Sequence, residues 1–332
     1  MDELVLLRGT ALVSDDAVPF ADLPLGDAAA LQVMRVRKQR ALSGSNDGTL
    51  KLWDLDGRVC VSTLSGHHDL IRCVDVDWNS RCALSGSADC TLKLWDLGSG
   101  RCIETLAGHG KEVHCVAVDW GRRLALSGGR DCLLKLWDLD SAKCLKTLRG
   151  HADWVWCNAL APGADRALSG SEDGALKLWD LRGGTVERTL EAHRCQMWCL
   201  VADWDSQQAL TGASDCLLKL WDLRSAVCLA TLHGHTGWLQ CVAADWPSRR
   251  ALSGAEDRCL KLWDLDAGSC LRTLQGTDGH IRCLAAGWPG QRALSGGADN
   301  ALRLWDLESG ACTATLEGHT RWVRCVSVDW GS

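Results

Sequence analysis

The pentapeptide Lys51-Leu52-Trp53-Asp54-Leu55 decides the architecture, because it returns from Lys93, Lys135, Lys177, Lys219 and Lys261, and once more from Arg303 with Arg in place of Lys. Every step is 42 residues. Around the second copy the unit reads Gly66-His67, then Ile71 to Trp78, Ala83 to Asp89, Thr91 to Leu97 and Cys102 to Leu106. These are four short β-rich runs divided by Gly, Asn, Asp and Ser, the pattern of an antiparallel meander of strands a, b, c and d. One four-stranded sheet of this size cannot bury both faces alone, so neighbouring units must stack.

Composition narrows the function classes. The chain has 332 residues, 36 Lys and Arg against 42 Asp and Glu, and a net charge of -6, so the electrostatic term that dominates nucleic-acid binding is missing. The opening Met1-Asp2-Glu3-Leu4 is acidic where a secretory signal needs positive charge, and no run of eighteen apolar residues occurs. The expectation is an intracellular protein, cytoplasmic or nuclear, with no membrane partner. Nineteen Cys are then read as reduced thiols, since disulfide scaffolds are short and secreted. Seven of them, from Cys73 to Cys325, repeat at one place in strand a, which suits packing rather than chemistry. His193, Cys195 and Cys199 form the densest ligand cluster but lack a second Cys pair in a zinc spacing, and no phosphate-binding Gly-rich loop is present. No metal and no cofactor are expected.

Forty-odd residues per four strands, with Gly-His at the start and Trp-Asp at the end, resembles the WD-repeat family of β-propellers. The resemblance covers residues 37–330 and implies an all-β, seven-bladed propeller with four antiparallel strands per blade, leaving 1–36 as an N-terminal extension. It also implies a tetrad in each blade, joining the Gly-His histidine, a Ser or Thr of strand b, the Asp of the following turn and the strand c Trp. Five sets are complete: His67, Ser85, Asp89, Trp95; His109, Ser127, Asp131, Trp137; His151, Ser169, Asp173, Trp179; His193, Thr211, Asp215, Trp221; and His235, Ser253, Asp257, Trp263. Ser43, Asp47 and Trp53 have no preceding Gly-His, whereas His319 has no following strands and lies seven periods after position 25. The C-terminal strand is therefore expected to join the first blade, which hides the edges both ends would otherwise expose. A competing assignment puts Leu25-Gly26-Asp27 and Leu31 to Arg37 in that place as a degenerate strand a. The unit of Trp305 has Gly276-Thr277 where Gly-His belongs, and His280 is the candidate to compensate.

Ser, His and Asp together also suggest a hydrolase set. Five copies with a Trp partner, and no Gly-x-Ser-x-Gly elbow around any Ser, favour a buried polar network instead. The 18 Trp are more informative: seven belong to the Trp-Asp frame and six, such as Trp78 and Trp204, repeat at the a to b turn. The five left over are Trp154, Trp156, Trp198, Trp238 and Trp322, all three or five residues after the Gly-His histidine position.

In proteins similar to this one, those positions and the residue before the turn Asp face the top of the propeller and bind partners. Here they include Arg72, Glu112, His114, Arg130, Trp154, Trp156, Glu172, Trp198, Trp238, Gln240, Glu256, His280, Arg282, Trp322 and Arg324. They differ from copy to copy while the frame is nearly constant, and Trp and Arg are enriched in binding hot spots. The expected function is a non-catalytic scaffold, a monomeric propeller within a larger complex, that binds a peptide or protein segment on this face. The alternative is a reader of a methylated or free cationic side chain, caged by Trp154, Trp156 and Trp238 with Glu172 and Glu256.

Overall fold

The computed structural model describes residues 38–331 in full, together with the strands Glu3–Arg8, Ala11–Val13 and Leu31–Val36. Each repeat becomes four antiparallel strands. Around Trp95 these are a, Ile71–Asp77; b, Cys82–Ser87; c, Thr91–Asp96; and d, Arg101–Ala107, paired in that order. Seven four-stranded sheets form among the described residues, and each strand a contacts its neighbours' a strands in a closed cycle. Strand a therefore lines the axis and strand d the circumference. Blades I to VII are numbered here by their strand c tryptophans, Trp53, Trp95, Trp137, Trp179, Trp221, Trp263 and Trp305.

The C-terminal strand Val323–Asp329 is strand a of blade I, pairing with Arg40–Ser45 so that Val326 faces Ser43. Leu31–Val36, which the competing assignment placed there, pairs instead with Glu3–Arg8. Leu25, Gly26, Asp27 and Arg37 lie outside the described residues. Among the described residues no helix is long and apolar enough to cross a membrane.

Blades cohere through shared cores. Leu42, Leu50, Leu52 and Leu64 of blade I pack on Ile71, Ala83, Trp95 and Leu97 of blade II, and the same pattern closes the ring where Leu294, Leu302 and Leu316 of blade VII meet Trp53 and Val323. Each fully buried Leu contributes about 1.5–3 kcal/mol. The blades approach closely only because strand b carries Gly: a Cβ on Gly86 would lie 2.6 Å from Cys73 Sγ and 2.7 Å from Val113 Cγ1 of the next blade. All nineteen Cys are free thiols, and the seven of strand a are buried with their pKa values raised by burial.

Two irregularities recur in every blade. Pairing of a with b skips one residue near the start of strand a: Arg72, His114, Trp156, Trp198, Gln240, Arg282 and Arg324. A β-bulge leaves its extra residue unpaired and re-aims the side chain. The second bulge is in strand d and carries Val61, Ile103, Leu145, Leu229 and Leu271. This explains why five apolar side chains, each about half exposed, stand out around the circumference.

Candidate interaction face at the channel mouth

The tetrads form one-way hydrogen-bond chains. In blade II the Trp95 indole donates to Ser85 Oγ (2.8 Å), Ser85 lies 2.7 Å from His67 Nε2, and His67 Nδ1 lies 2.8 Å from Asp89 Oδ2. With the indole filling one acceptor site of the hydroxyl, the arrangement that orphans no group has the Ser hydroxyl donating to Nε2 and the Nδ1–H donating to the carboxylate. Burial opposes ionisation of Asp89, but hydrogen bonds from His67, Thr91 and the His68 amide outweigh it and hold the pKa well below the usual range. Ser85 is fully buried, which leaves its oxygen without access to a substrate.

The chain also forms in blades III, V and VI, with Ser127, Thr211 and Ser253 in the Ser85 role. In blade I it spans the closure: Ser43 lies 2.8 Å from His319 Nε2 and Asp47 lies 2.9 Å from Nδ1. Blade IV is looser, because His151 Nδ1 stands 4.0 Å from Asp173 and has no partner within hydrogen-bond reach.

Blade VII solves the missing histidine differently from the sequence expectation. His280 does not compensate; its Nδ1 turns to the Glu256 carbonyl. Arg303 takes over, reaching Asp299 with one guanidinium nitrogen and Asp278 with another. The equivalent lysines of five other blades donate instead to a strand d threonine, as Lys93 does to Thr105. The signal was in the sequence, since Arg replaces Lys only in the unit with Thr277 at the histidine position and no His from elsewhere to fill it.

The seven bulged residues of strand a ring the channel at one end and divide by chemistry. His114, Trp156 and Trp198 form an aromatic arc: His114 stacks on Trp156 at 4.0 Å, and Trp156 meets Trp198 at 4.3 Å. Trp238, 43% exposed, extends it from the neighbouring loop and stacks on Trp198 at 6.1 Å. Trp154 flanks the arc 6.0 Å from Trp156, with the Arg130 guanidinium 4.1 Å over its ring. Trp322 lies apart from these four, against Arg282 and Arg324 at 5.3 and 5.1 Å.

Arg282, Arg324 and Arg72 make the opposite arc on blades VII, I and II. Carboxylates stand where the arcs meet. Glu112 accepts from Arg72 (2.8 Å) and Arg130 (2.9 Å) and lies 3.4 Å from His114 Nε2. Burial raises the Glu112 pKa, but the two arginines prevail and hold it low. Glu256 pairs with Arg282 at 3.1 Å and accepts from Gln240 at 3.3 Å. Glu172 accepts from the Trp156 indole and from Gln196, and the Trp198 indole donates to Ser214 at 2.8 Å. Gln196, Ser214 and Asn46 occupy the same variable loop and turn positions as the expected site residues. Burial and then the Arg72 charge pull the His114 pKa down to about 4, so the ring is neutral at pH 7.

Asp75 is another group that sequence reasoning missed. It accepts from the Val118 amide (2.9 Å) and the Trp120 indole (3.0 Å), tying blade II to blade III, and burial raises its pKa. It is the one carboxylate among the seven equivalents, the others being Ala117, Ala159, Val201, Ala243, Ala285 and Ser327. Among the described residues no group of three or more His, Cys, Asp or Glu side chains could hold a metal ion.

A closed ring of seven Trp-Asp blades with a tetrad in nearly every one defines the class as a β-propeller built from WD repeats. The chain matches the family described as WD domain, G-beta repeat, over residues 36–54, 58–96, 100–138, 142–180, 184–222, 226–264 and 268–306, and it belongs to that family. Each full match runs from strand d of one blade to strand c of the next. The short first match holds only strands b and c, and residues 312–329 complete it across the closure. No curated protein matches the chain. WD-repeat propellers generally serve as protein-interaction scaffolds.

Proposed function

We propose that this protein is a non-catalytic platform that binds a peptide or protein segment at the channel mouth, with Trp156, Trp198 and Trp238 as apolar anchors and the arginine arc as the polar contact. The observation that carries this reading is the continuous aromatic run across three blades at positions the frame does not need. Aromatic rings supply large contact area at small entropic cost, and a rigid ring of blades presents them preorganised. The buried tetrad hydroxyls support the absence of catalysis from those residues. Two features weigh against the cation cage: Arg130 already covers the Trp154 face, and Glu172 and Glu256 are engaged by donors of the chain itself. The test is affinity for a captured partner. Replacing Trp156 or Trp238 with Ala should each cost about 2 kcal/mol of binding with little change in melting temperature. Trp204→Ala, at the a to b turn, should lower stability and spare affinity; the reverse pattern would refute the reading.

A further inference from the structure

Around the channel mouth, four guanidiniums share fewer carboxylate contacts than they need. Glu112 serves both Arg72 and Arg130, and Glu256 serves Arg282. Glu172 is taken up by the Trp156 indole and Gln196. Arg324, in the centre of the arc, donates from Nε to the Asn46 side-chain oxygen at 2.9 Å and lies beside the Trp322 ring, and among the described residues no carboxylate pairs with it. Its two neighbours are also incompletely used, since Arg72 Nε and Arg282 Nε are buried without a partner. Burial, then repulsion from Arg72 and Arg282, lowers the Arg324 pKa to about 10, which still leaves it charged at pH 7.

Three like charges held together in a partly dry cleft are costly unless something offsets them. The tetrads of blades I, II, III, V and VI pair their polar groups fully, and the frame's exceptions, His151 Nδ1 and the Trp78 indole, are isolated atoms. A charged guanidinium without a carboxylate, set between two half-satisfied ones, is a different case and points to a ligand. Guanidinium forks match the planar or trigonal geometry of an oxyanion, and they are more weakly hydrated than an ammonium group. The aromatic arc lies across the same mouth, so a segment that ends one contact at Arg324 continues over apolar rings.

We propose that Arg324, flanked by Arg72 and Arg282, is an anion seat that takes the side-chain carboxylate or phosphate of an acidic peptide, while the run Trp156, Trp198 and Trp238 takes an apolar residue of the same segment. The proposal deepens the platform reading and rests on it. A peptide rather than a free anion is the ligand because charge and apolar contact are built into one opening.

The test uses the full chain and short peptide pools with degenerate flanks and one fixed central residue: Glu, phosphoserine, Gln or Lys. The Glu and phosphoserine pools should bind about tenfold or more tighter than the Gln and Lys pools, with the preference weakening as salt is added. Arg324→Gln should abolish that preference, Arg324→Lys should leave part of it, and Trp156→Ala should weaken all pools alike. At low salt Arg324→Gln should also raise the melting temperature, as relief of the repulsion requires. Equal binding of the Gln pool, or an acidic preference that survives Arg324→Gln, overturns the seat and leaves the platform standing. Preference for the Lys pool overturns the seat in favour of the cage. Binding of no pool at all defeats both seat and platform. Inorganic phosphate competing at the same concentration as the phosphoserine pool would make this a free-anion site and overturn the peptide assignment.

Discussion

The tetrads and the bulged ring belong to the same blades, the first on strands b and c and their adjoining loops and the second on strand a, yet they treat polar groups differently. In the tetrads a single arrangement is copied from blade to blade, and in blade II every donor from Trp95 to His67 finds an acceptor. In the ring each residue is chosen separately, and Arg72 Nε, His114 Nδ1 and Arg282 Nε are left buried without partners. An unmet buried donor or acceptor costs on the order of 1–3 kcal/mol. Apart from His151 Nδ1 in blade IV, folding explains the first pattern; it does not explain the second, which is why the ring rather than the Ser-His-Asp sets is the place to look for function.

The largest effect separating the two regions is expected at Trp137. Its side chain is 1% exposed and donates to Ser127 at 2.8 Å, so Trp137→Ala opens a cavity and strands a hydroxyl. Unfolding by denaturant should show a loss of about 3–5 kcal/mol. Partner affinity measured on the folded fraction should hold. A stable Trp137→Ala protein that has lost only binding would place Trp137 with the ring and erase the distinction.

The frame was legible because it is periodic. Ser43, Asp47 and Trp53 without a histidine, and His319 without strands, differ in register by seven whole periods, so the closure could be read by counting. The bulges could not, because a strand's sequence does not say which residue its neighbour skips. Arg72 and Trp156 could therefore be picked out as variable but not as the unpaired, re-aimed residues of strand a. The two arcs were hidden for the same reason: that Trp322 sits with the arginines and Trp238 with Trp198 depends on side-chain packing across blades. Arg303 was legible in principle, as a departure coinciding with the lost histidine.

A pH titration probes the ring more gently. His114 has a folded pKa of about 4 against an ordinary 6.5, with Arg72, Arg130, Glu112 and Trp156 around it. Between those values the unfolded chain binds a proton that the folded protein refuses, so stability should rise with pH from 4 to 6.5 and level off above. At pH 5 the refused proton lowers stability by about 2 kcal/mol relative to neutral pH. His114→Gln should remove that part of the slope, leaving the smaller part due to His151, whose pKa burial also lowers, and the steeper acid loss below pH 4. That loss comes from the depressed tetrad carboxylates such as Asp89, which stabilise above the ordinary carboxylate pKa and stop doing so as pH falls through the folded value. An unchanged slope in His114→Gln would mean the imidazole is protonated at no cost.

Blade VII offers a repair experiment within the frame. Arg303→Lys should withdraw the guanidinium from Asp299 and cost about 1 kcal/mol, since a Lys there reaches strand d in five of the other blades. Adding Thr277→His, which restores the histidine at its regular place, should recover the loss in the double variant. Thermal melts of the two singles and the double decide it. Simple additivity, with no recovery, would show that Arg303 and the histidine are not alternative solutions to the same problem.

The smallest effect tests whether copying in the frame also means fitness for folding. The residue after the tetrad Asp has positive φ in blades II, III and V, at Cys90 (70°), Cys132 (64°) and Cys216 (64°), whereas Gly48 and Gly174 hold the same place in blades I and IV. A left-handed conformation costs an L-residue about 1–2 kcal/mol, and Gly avoids that while giving up about 0.5–1 kcal/mol of unfolded-chain entropy. The difference favours Gly, so Cys90→Gly should raise stability by about 0.5 kcal/mol. Cys90 Sγ makes only a weak contact to the Ala88 carbonyl at 3.7 Å, too little to reverse the sign. The turn borders the depression lined by Glu112, Arg130 and Trp154 but lies outside the run Trp156, Trp198 and Trp238, so binding to that run should not change. A destabilised Cys90→Gly would show that the thiol packs to more effect than its geometry implies, and an altered affinity would extend the functional surface into the frame.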